Sequence, residues 1–203
     1  MGAVVPRPDV PGLTAAEVET ATAAPRRYGF HATLKPPFVL AEGRTRDDLE
    51  QAAADFCRTR AAVALPVLRL ASLDGFLALV PSAPYDAARE LAADCLRGFD
   101  AFRAPPSREE TARRRAAGLS PRQADFLETW GYPYVLEEFR LHLTLTERLP
   151  EARRRRFEPV LSQLFEPALA APPAIDGLAL YHEVRPGAPF VLVRRFRFGP
   201  PAA

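Results

Sequence analysis

The sequence predicts an α+β chain folded as two similar lobes, and three observations carry that reading. Stretches with helical spacing of apolar residues interchange with strand-like alternation along the chain. Each half contains a pair of apolar runs around a turn, the pattern of a β-hairpin. The order of a strand with His-x-Thr-Leu, a helix and a hairpin occurs twice. His31 and His142 stand 111 residues apart, and Phe76 and Phe190 stand 114 apart.

The elements follow in chain order. Met1 to Gly12 is proline-rich and reads as irregular. Thr14 with Glu17 forms a capping-box pattern, so a short helix is expected over 14–23. Tyr28 to Leu34 reads as a strand stopped by Pro36-Pro37, where backbone donors are lost. Thr45 with Asp48 opens a helix over about 45–60, with Leu49, Ala52, Ala53 and Phe56 on one face. Val63 to Ala71 and Gly75 to Val80 read as strands joined by a Ser-Leu-Asp-Gly turn. A helix is expected at 84–98, and Ser107 with Glu110 caps a further short one. Ser120-Pro121 starts another helix, with proline at its first position, that reaches Trp130. Glu138 to Thr146 reads as a strand, residues 150–167 as an arginine-rich helix, and Ile175–Val184 with Phe190–Phe198 as the closing hairpin. The expected organisation is a single bilobal unit over 1–203. Lobe one covers about 14–83, a helical bridge about 84–134, and lobe two about 135–200.

The bulk numbers set limits. With 203 residues, 48% of them hydrophobic, the chain can bury a real core. A formal net charge of +2 does not announce a nucleic-acid binder. Cys57 and Cys95 lack metal-ligand spacing and read as two reduced, semi-buried thiols. No apolar run approaches the roughly 18 residues of a membrane span, and no signal pattern opens the chain. A cytoplasmic location is the expectation, with no cofactor. Oligomeric state is not legible. Arg153 to Arg156 point in four directions on a helix and read as solvated surface, as do Arg113 to Arg115.

The chemistry lies in the two repeated motifs. On a strand, residues i and i+2 share a face. His31 and Thr33 therefore point one way, as do His142 and Thr144. Extending the alternation adds Lys35 to the first face, and Arg140 and Thr146 to the second. Leu34, Leu143 and Leu145 point to the opposite, core face. Two such polar faces meeting across a cleft would surround a phosphate with imidazoles, hydroxyls and cations. One neutral histidine would accept a proton and the other, protonated, would donate one. No Asp or Glu shares these faces at motif spacing, so a metal cluster is not expected. His182 has no threonine partner and reads as an edge residue.

At these residues the sequence resembles the 2H phosphoesterase superfamily, named for its paired H-x-[ST]-x motifs. Arg27 to Phe38, and Trp130 to Val135 with Glu137 to Thr146, resemble two blocks of one branch: uncharacterised proteins of phosphonate-degradation operons. The resemblance implies a bilobal α+β fold with two pseudo-symmetric antiparallel sheets lining a cleft and helices outside. It implies metal-independent phosphodiester chemistry with His31 and His142 as catalytic pair. Thr33 and Thr144 would be the hydroxyls on phosphate, with Tyr28, Lys35, Arg140 and Thr146 as further block members. The implied substrate is a small cyclic phosphodiester such as a ribosyl 1,2-cyclic phosphate, and the implied class is a phosphoric diester hydrolase. Two other readings compete. One is processing of 2′,3′-cyclic or 2′-5′ RNA ends, which would favour a basic, aromatic-lined groove. The other is a phospho-ligand module without turnover. Relatives in this branch open with a strand-and-helix segment that Met1 to Pro6 does not resemble. The expectation is that this chain is less stable or less soluble than a longer version would be.

Overall fold

A computed structural model describes residues 9–199. Its helices are α1 (Ala15–Arg26), α2 (Arg46–Arg58), α3 (Asp86–Gly98), α4 (Arg108–Arg115), α5 (Pro121–Trp130) and α6 (Glu151–Leu169). Its strands are β1 (Val63–Ala64), β2 (Leu68–Leu73), β3 (Phe76–Pro81), β4 (Leu143–Thr144), β5 (Ala174–Ile175), β6 (Gly177–Glu183) and β7 (Phe190–Arg197). The fold is therefore mixed helix and antiparallel strand, as expected. The irregular opening lies mostly outside the described residues. No described helix is long and apolar enough to cross a membrane.

Helix starts follow local chemistry. Thr14, Thr45 and Ser120 each accept a hydrogen bond from the backbone N–H three residues on, and Glu17, Asp48 and Gln123 return the bond. Ser107 accepts from Glu110 N in the same way. α1 runs three residues beyond its expected end and includes Pro25.

The motif strands are shorter than the alternation predicted. Tyr28–Leu34 is not a regular strand; its one ladder contact is an antiparallel bridge from Ala32 to Leu143. Gly29, at φ +72°, turns the chain just after α1. The expected strand Glu138–Thr146 is regular only at β4. Leu136–Glu138 forms a 3₁₀ turn, and Leu136 has φ +53°. Leu141 N donates to the Tyr85 hydroxyl, while Leu145 N and Thr146 N both donate to Leu77 O. These bonds satisfy the backbone without a long ladder. The strand expected over Val63–Ala71 is also split, because Pro66 has no N–H to donate. β1 pairs with β5, and β2 joins the sheet β2-β3-β4.

Packing interlocks the two halves. α2 lays Leu49, Ala53 and Cys57 against Phe196, with Leu178 and Leu180 of the second hairpin beside them. α6 lays Phe157 and Leu161 against Leu77, with Leu70 and Leu145 beside them. Each hairpin is thus covered by the helix that precedes the other hairpin. β4, from the second half, pairs with β3 in the first, with Ala78 opposite Thr144. β1 and β5, one from each half, pair antiparallel. α3 closes the layer by packing Ala88 and Ala92 on Leu141, with Ala32 and Leu34 beside them. Burial of these apolar faces, at about 25 cal/mol per Å², holds the two motif segments side by side.

Candidate functional site

The site is built on the bridge between Ala32 and Leu143. Carrying that single bridge one residue to either side would set His31 across from Thr144 and Thr33 across from His142. Directly opposed residues share a face, with Cβ atoms about 5 Å apart. The bridge thus brings the two motif segments side by side. Ala32 and Leu34 turn to the core behind it.

The two imidazoles are anchored identically. His31 Nδ1 lies 2.9 Å from Gly29 O, and His142 Nδ1 lies 2.7 Å from Arg140 O. A carbonyl only accepts, so Nδ1 donates in both rings, and Nε2 is left with the lone pair in the neutral form. His31 Nε2 lies 3.0 Å from Thr33 Oγ1. His142 Nε2 has no protein partner among the described residues. Both rings are half-buried, Thr33 is exposed and Thr144 half-buried. Each motif offers a proton-accepting nitrogen and a hydroxyl.

Aromatic rings stand beside the histidines. The Tyr28 ring centroid is 6.3 Å from His31 and 5.1 Å from Phe190. Arg27 positions it: Arg27 pairs with Glu183 at 3.1 Å, and its carbonyl accepts from Phe190 N at 2.7 Å. Tyr181 lies 6.2 Å from His31, and Phe76 lies 5.8 Å from His142. Ordinary alternation along β6 sets Tyr181 on the side away from Leu178 and Leu180: those two pack on the α2 cluster, and Tyr181 turns to His31. The ladder slips at this point because Val193 of the facing strand β7 is unpaired. Tyr132 and Tyr134 follow at 5.7 Å from each other, with Arg114 over the Tyr132 ring. Burial pushes the Tyr132 phenol above its ordinary range, with Arg114 acting against that. His182 is exposed.

The other sequence-predicted residues go elsewhere. The Lys35 side chain is 8% exposed; its ammonium donates to Leu96 O at 3.0 Å and lies 3.6 Å from Asp100. Burial pulls it below the usual lysine range, and Asp100 acts against that. Thr146 is 2% exposed; its hydroxyl accepts from Leu77 N and donates to Glu147 O. Both side chains are committed inside the fold, because the chain leaves regular strand geometry before Lys35 and after Thr144. Arg140 supplies its carbonyl to His142, while its side chain lines a separate cavity of about 360 Å³ with Arg69, Tyr85 and Glu158. Sequence reasoning missed Tyr181 and Phe76 as neighbours of the histidines; neither lies in an H-x-T motif, and only tertiary packing brings them near.

Residues 33–191 match the model of a family described as a protein of unknown function, DUF1045. Two similar proteins are known from bacteria. The chain is 43% identical over 194 residues to a protein of Janthinobacterium sp. (strain Marseille), covering 94% of this chain and 43% of that protein. It is 39% identical over 184 residues to one of Laribacter hongkongensis (strain HLHK9), covering 90% of this chain and 42% of that protein. Both relatives are named ribose 1,5-bisphosphate phosphokinase PhnN. The chain spans less than half the length of these relatives. The matches agree with the phosphonate-operon branch of the resemblance. They correct the expected enzyme class: a phosphokinase is a transferase, and the relatives do not carry the name of a phosphoric diester hydrolase.

Proposed function

The chain belongs to the DUF1045 family, and from that premise and its own residues we propose that it handles a small phosphorylated ribose in phosphonate metabolism. The observation that carries the reading is the antiparallel patch of His31, Thr144, Thr33 and His142, with both Nδ1 atoms tied to carbonyls. The Thr144 hydroxyl donates to a non-bridging phosphoryl oxygen, and the Thr33 hydroxyl does so when His31 is protonated at Nε2 and Thr33 Oγ1 accepts from it. One imidazole accepts a proton at Nε2 from the attacking oxygen, and the other, protonated, gives one to the departing oxygen. Each such contribution is worth about 10²–10⁴-fold. We read these roles as the paired-histidine chemistry that the resemblance to the 2H superfamily implies.

The relatives' name supports a ribose phosphate as ligand and phosphoryl transfer between oxygens as chemistry. Nothing in this chain's own sequence has the form of a phosphate-cradling loop for a nucleotide. A phosphate-cradling loop of the type G-x-x-x-x-G-K-[ST] needs a lysine after glycine, and the one lysine here, Lys35, follows Leu34 and is buried against α3. The test is ³¹P NMR of the chain with ribose 5-phosphate and ribose 1,5-bisphosphate. We expect line shifts on binding and a new phosphorus resonance on turnover, both lost in His31→Ala and His142→Ala. Full turnover in either variant would refute the mechanism.

A further inference from the structure

Two cations expected on the histidine face, Lys35 and Arg140, are held elsewhere by the fold. Lys35 is tied to Leu96 O and Asp100, and the Arg140 side chain lines the cavity beside Glu158. The β6–β7 ladder brings a different cation to the His31 side. Glu183 stands opposite Phe190, Tyr181 opposite Leu192, and Ala179 opposite Arg195. Opposed residues share a face, and on this one Phe190 meets Tyr28 and Tyr181 meets His31. The other face packs Leu178, Leu180 and Phe196 against α2. Arg195 therefore stands on the His31 side of the hairpin, away from that core.

A regular β7 would not place it there. Plain alternation from Phe190 and Leu192 would set Arg194 and Phe196 on the His31 side and Arg195 toward α2. The unpaired Val193 resets the alternation: Leu192 stays opposite Tyr181, while Arg194 falls opposite Leu180 and Phe196 opposite Leu178. Phe196 is thereby buried in the α2 cluster, and Arg194 pairs with Glu50 of α2 at 3.6 Å. Arg195 and Tyr181 become diagonal neighbours, with Cβ atoms about 7–8 Å apart, within reach of a long side chain. The other charged groups on this face are matched, Glu183 by Arg27 and Arg197 by Asp176. Arg195 is exposed and has no ion pair, hydrogen bond or ring contact among the described residues.

We propose that Arg195 is a phosphate-binding residue of the histidine site, reaching it from the second hairpin past Tyr181, with the Val193 bulge as the device that aims it. The proposal rests on the reading given above for a phosphate at His31. Arginine suits the role because its planar fork gives phosphate oxygens two parallel N–H donors. It supplies a fixed positive charge, which the threonine hydroxyls lack and a histidine carries only when protonated. The Tyr181 ring, 6.2 Å from His31, gives the extended guanidinium a flat surface to lie along.

The test is calorimetric titration of the full chain with ribose 5-phosphate at constant ionic strength, with ¹⁵N NMR of the arginine Nε–H groups along the same titration. Arg195→Gln should weaken binding by about tenfold, the worth of one charge-assisted contact, and Arg195→Lys should restore part of it. Arg194→Gln removes the same charge one residue away on the α2 face and should stay within about twofold of the parent. The Arg195 Nε–H resonance should shift as the ligand binds, and His31→Asn should abolish that shift. Binding by Arg195→Gln as tight as the parent's overturns the proposal. Equal weakening in Arg194→Gln and Arg195→Gln also overturns it, since only overall charge would then matter. Loss of binding in His31→Asn with none in Arg195→Gln sinks the role of Arg195 and leaves the paired-histidine reading standing. Loss in Arg195→Gln with none in His31→Asn sets the phosphate apart from the histidine and sinks both. A parent chain that does not bind ribose 5-phosphate sinks both as well. Arg195 is exposed, so its variants should melt with the parent, and thermal melting checks that.

Discussion

Replacing Thr146 by valine removes one buried hydroxyl and keeps the side-chain volume. That hydroxyl accepts from Leu77 N at 3.0 Å and donates to Glu147 O at 2.8 Å. Leu77 is fully buried, so its N–H has no water to turn to. Leaving such a donor unpaired costs about 1–3 kcal/mol. The added methyl returns up to about 0.8 kcal/mol, so a net loss of about 1–2 kcal/mol is expected. For a chain of this size that lowers Tm by roughly 5 °C. Thr146→Ser keeps the hydroxyl and should lose about 1 kcal/mol or less. Urea unfolding followed by circular dichroism measures both, and titration with ribose 5-phosphate measures binding. Thr146→Val should keep its affinity once folded, because the hydroxyl points into the sheet junction and not to ligand. A valine variant as stable as the parent, with affinity lost, would mean that Thr146 serves phosphate after all and would refute this reasoning.

Two further outcomes follow from the same geometry. The carbonyl anchors require the Nδ1–H tautomer in both neutral rings, so ¹⁵N NMR of the histidine side chains should report Nε2 as the unprotonated nitrogen of His31 and His142. A dominant Nε2–H form in either would contradict the anchoring. Burial pushes the Cys95 thiol up to about 12 from an ordinary value of 9.0. A raised native pKa means that the unfolded chain loses its proton first, so stability is fully present below pH 9 and falls as pH rises toward 12. The slope is about 1.4 kcal/mol per pH unit from that group, and Cys95→Ala should flatten it in urea titrations between pH 9 and 11; an unchanged slope would show that the thiol is not the source.

Features governed by neighbours three or four residues away were legible in the sequence. The Thr14–Glu17, Thr45–Asp48 and Ser120–Gln123 boxes start helices where the pattern put them. The hairpin turns at Asp74-Gly75 and near Gly187 stand between the expected strands. The i, i+2 rule put His31 with Thr33 and His142 with Thr144, since that relation needs only a short extended stretch. The same rule failed for Lys35 and Thr146, where it was carried past the ends of regular strand. Lys35 follows the chain to α3, and Thr146 is captured by Leu77.

The alternation of His and Thr was therefore a property of the sequence by itself. Which strand lies beside which was not, because a ladder is chosen by the whole set of apolar faces that must be buried together. Only tertiary structure pairs Ala32 with Leu143 and crosses each hairpin with the helix from the other half. It also brings Tyr181 of the second hairpin beside His31, because a contact between segments some 150 residues apart leaves no mark in the spacing of residues.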